Sequence, residues 1–226
     1  MGAEFVDAKE AAAAPAAAEA APGNDENVAP AAAAPAKAPA GEDAPAPGLP
    51  EDVVKAVRAG DVATLEDYLA GGADADARQT TPAGRGLLCW AALTRQAECL
   101  AALLENGAGV DVPDNSGFTA LNYVVNYGDD ANRLAEVRLL LDAGADVDKC
   151  DNRGFTPLIH GCVRGRGDAV RALLAAGANY DLRNEMGHDA EAHARAAGHE
   201  DLAGLLADVR AAGSWAAYEA APPLAE

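Results

Sequence analysis

The chain has 226 residues, with 36 Asp and Glu against 17 Lys and Arg and a formal net charge of −19. Such a field repels phosphate backbones and anionic lipid, which argues against nucleic-acid or membrane-surface partners. No apolar run approaches the roughly 20 residues that span a bilayer, and four cysteines are too sparse for a disulfide framework. The cysteines are expected as reduced, small buried hydrophobes. The expected location is intracellular, in the cytoplasm, because the first residues hold no basic region followed by an apolar one.

Residues 1–48 form an Ala/Pro/Glu tract with scarcely any large apolar side chain, so the expectation is a disordered tail. Eight acids and two lysines give it a net charge of −6, leaving −13 for the remainder. Residues 49–80 predict a cap with helices over Glu51–Ala59 and Ala63–Ala70, separated by Gly60-Asp61. Residues 81–113 predict helices over Leu87–Thr94 and Glu98–Glu105, with Gln79-Thr80 lengthening the loop before them. Residues 114–150 run four residues longer than the unit that follows. The extra four fit as Asp129-Asp130-Ala131-Asn132 in the loop between two helices, either tolerated there or contacting one partner.

Residues 151–183 carry the clearest punctuation. Thr156 suits an N-cap and Pro157 the first helical position. Gly165 closes that helix, a second begins near Asp168, and Gly177 stops it. Val170, Leu173 and Leu174 form one apolar stripe. Two helices this short cannot bury that stripe alone, so the unit needs neighbours. Residues 184–210 keep Gly187, Gly198-His199 and Leu205-Leu206. They place Asp189, Glu191 and Arg195 where earlier units are apolar or small, as a polar end cap requires. Within 211–226, Gly213-Ser214 breaks the last helix. Trp215 and Tyr218, one turn apart, either pack back on the cap or wait for a partner.

The units repeat. Leu103-Leu104-Glu105-Asn106-Gly107-Ala108 recurs at Leu140 to Ala145 and Leu173 to Ala178, with a weaker copy at Tyr68 to Ala73. Gly72, Gly107, Gly144 and Gly177 are spaced by 35, 37 and 33 residues. With Asp151, Gly154, Thr156-Pro157-Leu158 and Gly165 in place, this pattern resembles the ankyrin-repeat family. The resemblance covers residues 49–210. It implies an all-α solenoid of helix-turn-helix repeats with short hairpin loops, about five units including caps: 49–80, 81–113, 114–150, 151–183 and 184–210. Where the family usually has histidine after Thr-Pro-Leu, this chain has Ile159, Asn122 or Cys89.

No catalytic residue and no cofactor are expected. Ser116 and Ser214 are the only serines, and neither stands in a nucleophile turn. There is no phosphate-binding or dinucleotide loop. His160 and Cys162, with Cys150 and His193 elsewhere, come nearest to a metal cluster. A lone His-x-Cys on a helix points its side chains about 200° apart, so core packing is expected and no metal.

The resemblance implies a concave groove that binds another protein, built from hairpin tips and the exposed sides of first helices. In this register it selects Arg85, Phe118, Asn126, Tyr127, Asn152, Arg153, Phe155, Arg164, Arg183, Met186 and His188, with Leu93, Thr94, Asn115 and Val163 alongside. Arginine and aromatic residues gathered in a concavity have the composition of a binding hot spot. The expected partner is an acidic protein segment with embedded hydrophobic anchors. The phenylalanines otherwise brace neighbouring hairpins, and the arginines otherwise neutralise Asp114 and Asp151. The array is expected to be a monomer serving as an adaptor, targeting or inhibitory subunit. The alternative is a permanent structural subunit of a larger assembly.

Overall fold

The computed structural model describes residues 48–127 and 133–220. The amino-terminal tract up to residue 47 and the four-residue insertion at Asp129 to Asn132 lie outside the described residues. Among the described residues there are eleven helices and no strand. Inner helices α1 (Glu51–Ala59), α3 (Leu87–Thr94), α5 (Ala120–Asn126), α7 (Pro157–Val163) and α9 (Ala190–Ala196) pack in sequence, each on the next. Outer helices α2 (Val62–Ala70), α4 (Ala97–Glu105), α6 (Arg133–Asp142) and α8 (Gly167–Ala175) form a second row, and α10 (Glu200–Ala212) covers α9. These five pairs make the all-α solenoid that the repeat pattern implies, with each unit burying its neighbour's apolar face.

Local chemistry sets the helix ends. Asp61, Thr119, Thr156 and Asp189 each accept the backbone N–H three residues on, at Thr64, Asn122, Ile159 and Ala192. The two leucines of each repeat signature drive burial: Leu103, Leu140 and Leu173 are fully inaccessible.

Each hairpin is then fastened to the next by backbone. Asn115 N–H donates to Ala83 O at 2.9 Å, Asn152 N–H to Ser116 O at 3.0 Å, and Glu185 N–H to Arg153 O at 3.2 Å. Gly154 sits at φ 76°, and a Cβ there would stand 3.1 Å from the backbone of Asn184 and Glu185. Both the left-handed conformation and that close approach call for glycine.

The outer loops carry a second ladder. Asp76 accepts Gly109 N–H at 2.7 Å, Asp111 accepts Asp146 N–H at 3.0 Å, and Asp148 accepts Asn179 N–H at 2.9 Å. Asp181, next in the series, accepts Arg210 Nε at 3.2 Å instead, which ends the ladder at the cap. Many of the chain's acids therefore serve as repeat-to-repeat acceptors.

Two features depart from expectation. Cys89, Cys99 and Cys162 are buried, but Cys150 is exposed, so only three behave as core residues. Glu191, assigned to a polar outer face, is buried and paired with Arg195 and Arg210. The cap thus neutralises its acid internally. Beyond Gly213, a short helix α11 (Trp215–Ala220) lies against α8 and α10, with Trp215 and Tyr218 partly buried on the core.

Asp151→Ala should destabilise the array by about 2 kcal/mol, because it leaves two partly buried hairpin N–H groups unpaired and removes the buried partner of His160. Asp111→Ala should cost about 1 kcal/mol or less at its more accessible loop. Urea unfolding of the two variants checks the order, and equal losses would contradict it.

Candidate protein-binding groove

Three hairpins share one device. Asp114 Oδ1 accepts the N–H groups of Ser116 and Phe118 at 2.8 and 2.9 Å. Asp151 Oδ1 accepts those of Arg153 and Phe155, both at 2.9 Å. Asn184 Oδ1 accepts those of Met186 and His188 at 3.0 and 3.1 Å. All three residues are buried. The remaining polar atom of each faces a ring on the inner helix of the same repeat. Tyr123 Oη donates to Asp114 Oδ2 at 2.6 Å, His160 Nε2 stands 3.3 Å from Asp151 Oδ2, and Asn184 Nδ2 meets His193 Nε2 at 2.9 Å. In the second repeat, Trp90 Nε1 donates to Gln79 Oε1 at 3.0 Å.

Trp90, Tyr123, His160 and His193 each follow the N-cap of their helix by four residues. Sequence reasoning passed over this series. The fixed spacing behind Gly86, Thr119, Thr156 and Asp189 was the available signal. The rings link the repeats into one aromatic path. Phe118 lies 5.2 Å from Tyr123, 6.4 Å from Tyr127 and 5.1 Å from His160. Phe155 lies 5.4 Å from His160 and 5.0 Å from His193, whose edge meets His188 at 5.6 Å. Such tilted and edge contacts suit the ring quadrupoles.

Against this path the selected residues fall into two groups. Phe118 is only 8% exposed, so the expectation of a solvent-facing ring there is corrected. Its place between Tyr123 and His160 makes it a brace between hairpins. Asn126 is buried too, and Asn152 donates through Nδ2 to Asn115 O at 2.9 Å, tying two hairpins. Arg85 donates through Nε to Tyr123 Oη at 2.7 Å and lies over the Trp90 and Tyr123 rings. Phe155 is half-buried under the Arg153 guanidinium, 5.0 Å from its centroid.

The accessible group comprises Tyr127, 40% exposed, and Met186, 62% exposed, with Arg153, Arg164, Arg183 and His188. Tyr127 stacks on Tyr123 at 5.7 Å. Arg153 reaches Asp151 Oδ2 at 3.3 Å, and Arg183 reaches Asp189 Oδ2 at 3.5 Å and Gly187 O at 2.8 Å. Arg164 donates through Nε to Asn126 Oδ1 at 2.9 Å.

The places where the resemblance expects histidine also have work. Cys89 Sγ stands 3.7 Å from the carbonyl oxygens of Val112 and Phe118, and Asn122 Nδ2 donates to Lys149 O at 3.2 Å. Burial pushes the Cys89 thiol up to about 12, so it stays a donor. Ile159 contributes apolar packing alone.

The floor of the array holds buried charge. Arg95, in the left-handed region at φ 63°, donates to Val124 O and pairs with Glu136 at 2.9 Å. Arg133 is fully buried, 3.7 Å from Asp168. Such pairs hold a register only while both partners remain, since a lone buried charge is costly.

A sequence model described as ankyrin repeats, in three copies, matches residues 53–147 and again 130–213. The chain belongs to the ankyrin-repeat family. Ankyrin repeats are in general protein–protein interaction modules and are typically non-catalytic. A search of curated proteins returned no match. Among the described residues no group of His, Cys, Asp and Glu is arranged to hold a metal ion, and no helix is long and apolar enough to cross a membrane.

The last ankyrin hairpin is sensitive to pH. Because Asn184 Oδ1 accepts two backbone donors, its Nδ2 faces His193, whose Nε2 must be the unprotonated acceptor. Burial first, then the neighbouring His188, hold the His193 pKa below 6.5, with His160 on α7 adding and Asp189 opposing. Asp189 is itself held by Arg183 and by Arg210 of α10. Above 6.5 the ring is neutral in folded and unfolded chains, and the bond contributes in full. As pH falls from there through the folded value, the unfolded chain takes the proton first and stability is lost. Asn184→Asp should raise the His193 pKa and flatten or reverse that loss in thermal melts across this window. An unchanged slope would contradict the tautomer.

Proposed function

We propose that this ankyrin array is a non-catalytic adaptor, targeting or inhibitory subunit that grips a partner protein in its concave groove. The observation that carries the reading is the distribution of charge and apolar exposure. The chain is strongly acidic, yet Arg153, Arg164 and Arg183 lie exposed on the face that also presents Tyr127 and Met186. Among the described residues these two are the exposed large hydrophobic side chains. An acidic segment with hydrophobic anchors complements such a face, the arginine forks taking carboxylates and the rings taking apolar side chains. The buried rings beneath, Phe118, Tyr123 and His160, hold the surface residues in place, which lowers the ordering cost of binding.

The alternative of a permanent structural subunit draws less support. Obligate interfaces are larger and more apolar, and Trp215 and Tyr218 already pack against their own chain. Affinity capture from the native source, with the full chain as bait, tests the reading. A Tyr127→Ala, Arg164→Ala, Met186→Ala bait should still unfold in one cooperative thermal transition above the capture temperature and lose the partner that the native bait retains. Equal retention would place recognition outside the groove.

A further inference from the structure

The groove arginines are not equivalent, and the difference shows which of them can read a partner's carboxylate. Arg153 already reaches Asp151 Oδ2 and lies over the Phe155 ring. Asp151 is buried, and although burial raises its carboxyl, the His160 ring and the backbone donors of Phe155 and Arg153 outweigh this and hold it below the ordinary value. It remains an ion that needs its donors. Arg183 is likewise engaged with Asp189 and with Gly187 O. Arg85 is engaged with Tyr123 Oη and two rings.

Arg164 is different. It follows the last residue of α7, is exposed, and donates through Nε to the neutral amide oxygen of Asn126. That bond fixes the direction of the guanidinium, and among the described residues no carboxylate takes the fork of its two Nη groups. Asn126 is the last residue of α5, and the next residue is Tyr127, which leaves the helix in extended conformation at φ −117° and ψ 162°. Tyr127 is held from behind by Tyr123 and Phe118 and is still 40% exposed. A pre-oriented cation thus stands beside the anchored residue that precedes an exposed ring, at the junction of the third and fourth repeats.

We infer that Arg164 and Tyr127 form the primary recognition point of the groove, binding a partner segment in which an aspartate or glutamate adjoins an aromatic or aliphatic side chain. The carboxylate takes the Arg164 fork and the apolar neighbour lies on Tyr127. Arg153 and Arg183 hold their own hairpins and add little to affinity. This inference rests on the groove reading above.

The test is selection of a phage-displayed random-peptide library on the full chain, followed by titration of the enriched peptides. Enriched sequences should pair an acid with an apolar residue. Arg164→Gln should weaken them about tenfold, as loss of a charge-assisted bidentate contact does. Arg164→Lys should recover part of that loss, and Arg153→Gln or Arg183→Gln should change affinity by about threefold or less. Melting temperatures of the four variants confirm that each remains folded. Peptides without acids, no enrichment, or a loss in Arg153→Gln equal to that in Arg164→Gln would overturn the inference while leaving the groove reading standing. Enriched peptides indifferent to Arg164→Gln, Tyr127→Ala and Met186→Ala alike would overturn both.

Discussion

The structure depends on one small hydrogen-bonding unit, a buried Asx side chain at the head of each inner hairpin. At Asp114, Asp151 and Asn184 one oxygen accepts the N–H groups two and four residues ahead, folding the hairpin tightly. The other polar atom is turned towards Tyr123, His160 or His193 on the helix that follows. A carboxylate taken out of water is costly unless every lone pair has a donor, so hairpin, ring and helix must come together. Because each hairpin also donates backbone to the one before, error in one unit would spread along the groove. The device therefore fixes each of these hairpins both to its own inner helix and to the neighbouring hairpin.

The same economy explains the sign of the surface. On the outer loops Asp76, Asp111 and Asp148 reach forward to the next repeat's backbone, and Arg210 takes the last, Asp181. Acids are thus placed where backbone N–H groups need acceptors, while the concave side gathers arginines over rings. A chain with a large net negative charge can in this way still expose Arg153, Arg164 and Arg183 together with Tyr127 and Met186. In the function proposed above, that separation would steer an acidic segment towards the arginines and away from the acid-lined outer loops.

Much of the fold was legible because its signals are local. Thr156-Pro157, Asp61 and the glycines after each leucine pair mark helix ends to within two residues of where they fall, and the starts of α2 at Val62 and α4 at Ala97 come one residue before the expected Ala63 and Glu98. What was not legible depends on contacts between repeats. Phe118 and Phe155 hold equivalent places, yet Phe118 is closed over by Tyr123, Tyr127 and His160, while Phe155 faces the sparser His193 side. Arg133 and Glu136 are charged residues of α6 that nevertheless lie buried, Glu136 against Arg95 and Arg133 near Asp168. Only the stacked neighbour reveals that. Trp215 and Tyr218 were ambiguous in sequence for the same reason, since their burial is decided by α8 and α10.

The most direct test of the account is hydrogen exchange on the full chain, free and bound to its captured partner. Slowed exchange confined to the hairpin tips at Asn115, Asn152 and Glu185 and to the ends of α5 and α7 is the predicted footprint. Protection centred on the outer helices α4, α6 and α8, or on α11, would contradict it and move recognition to the back of the array.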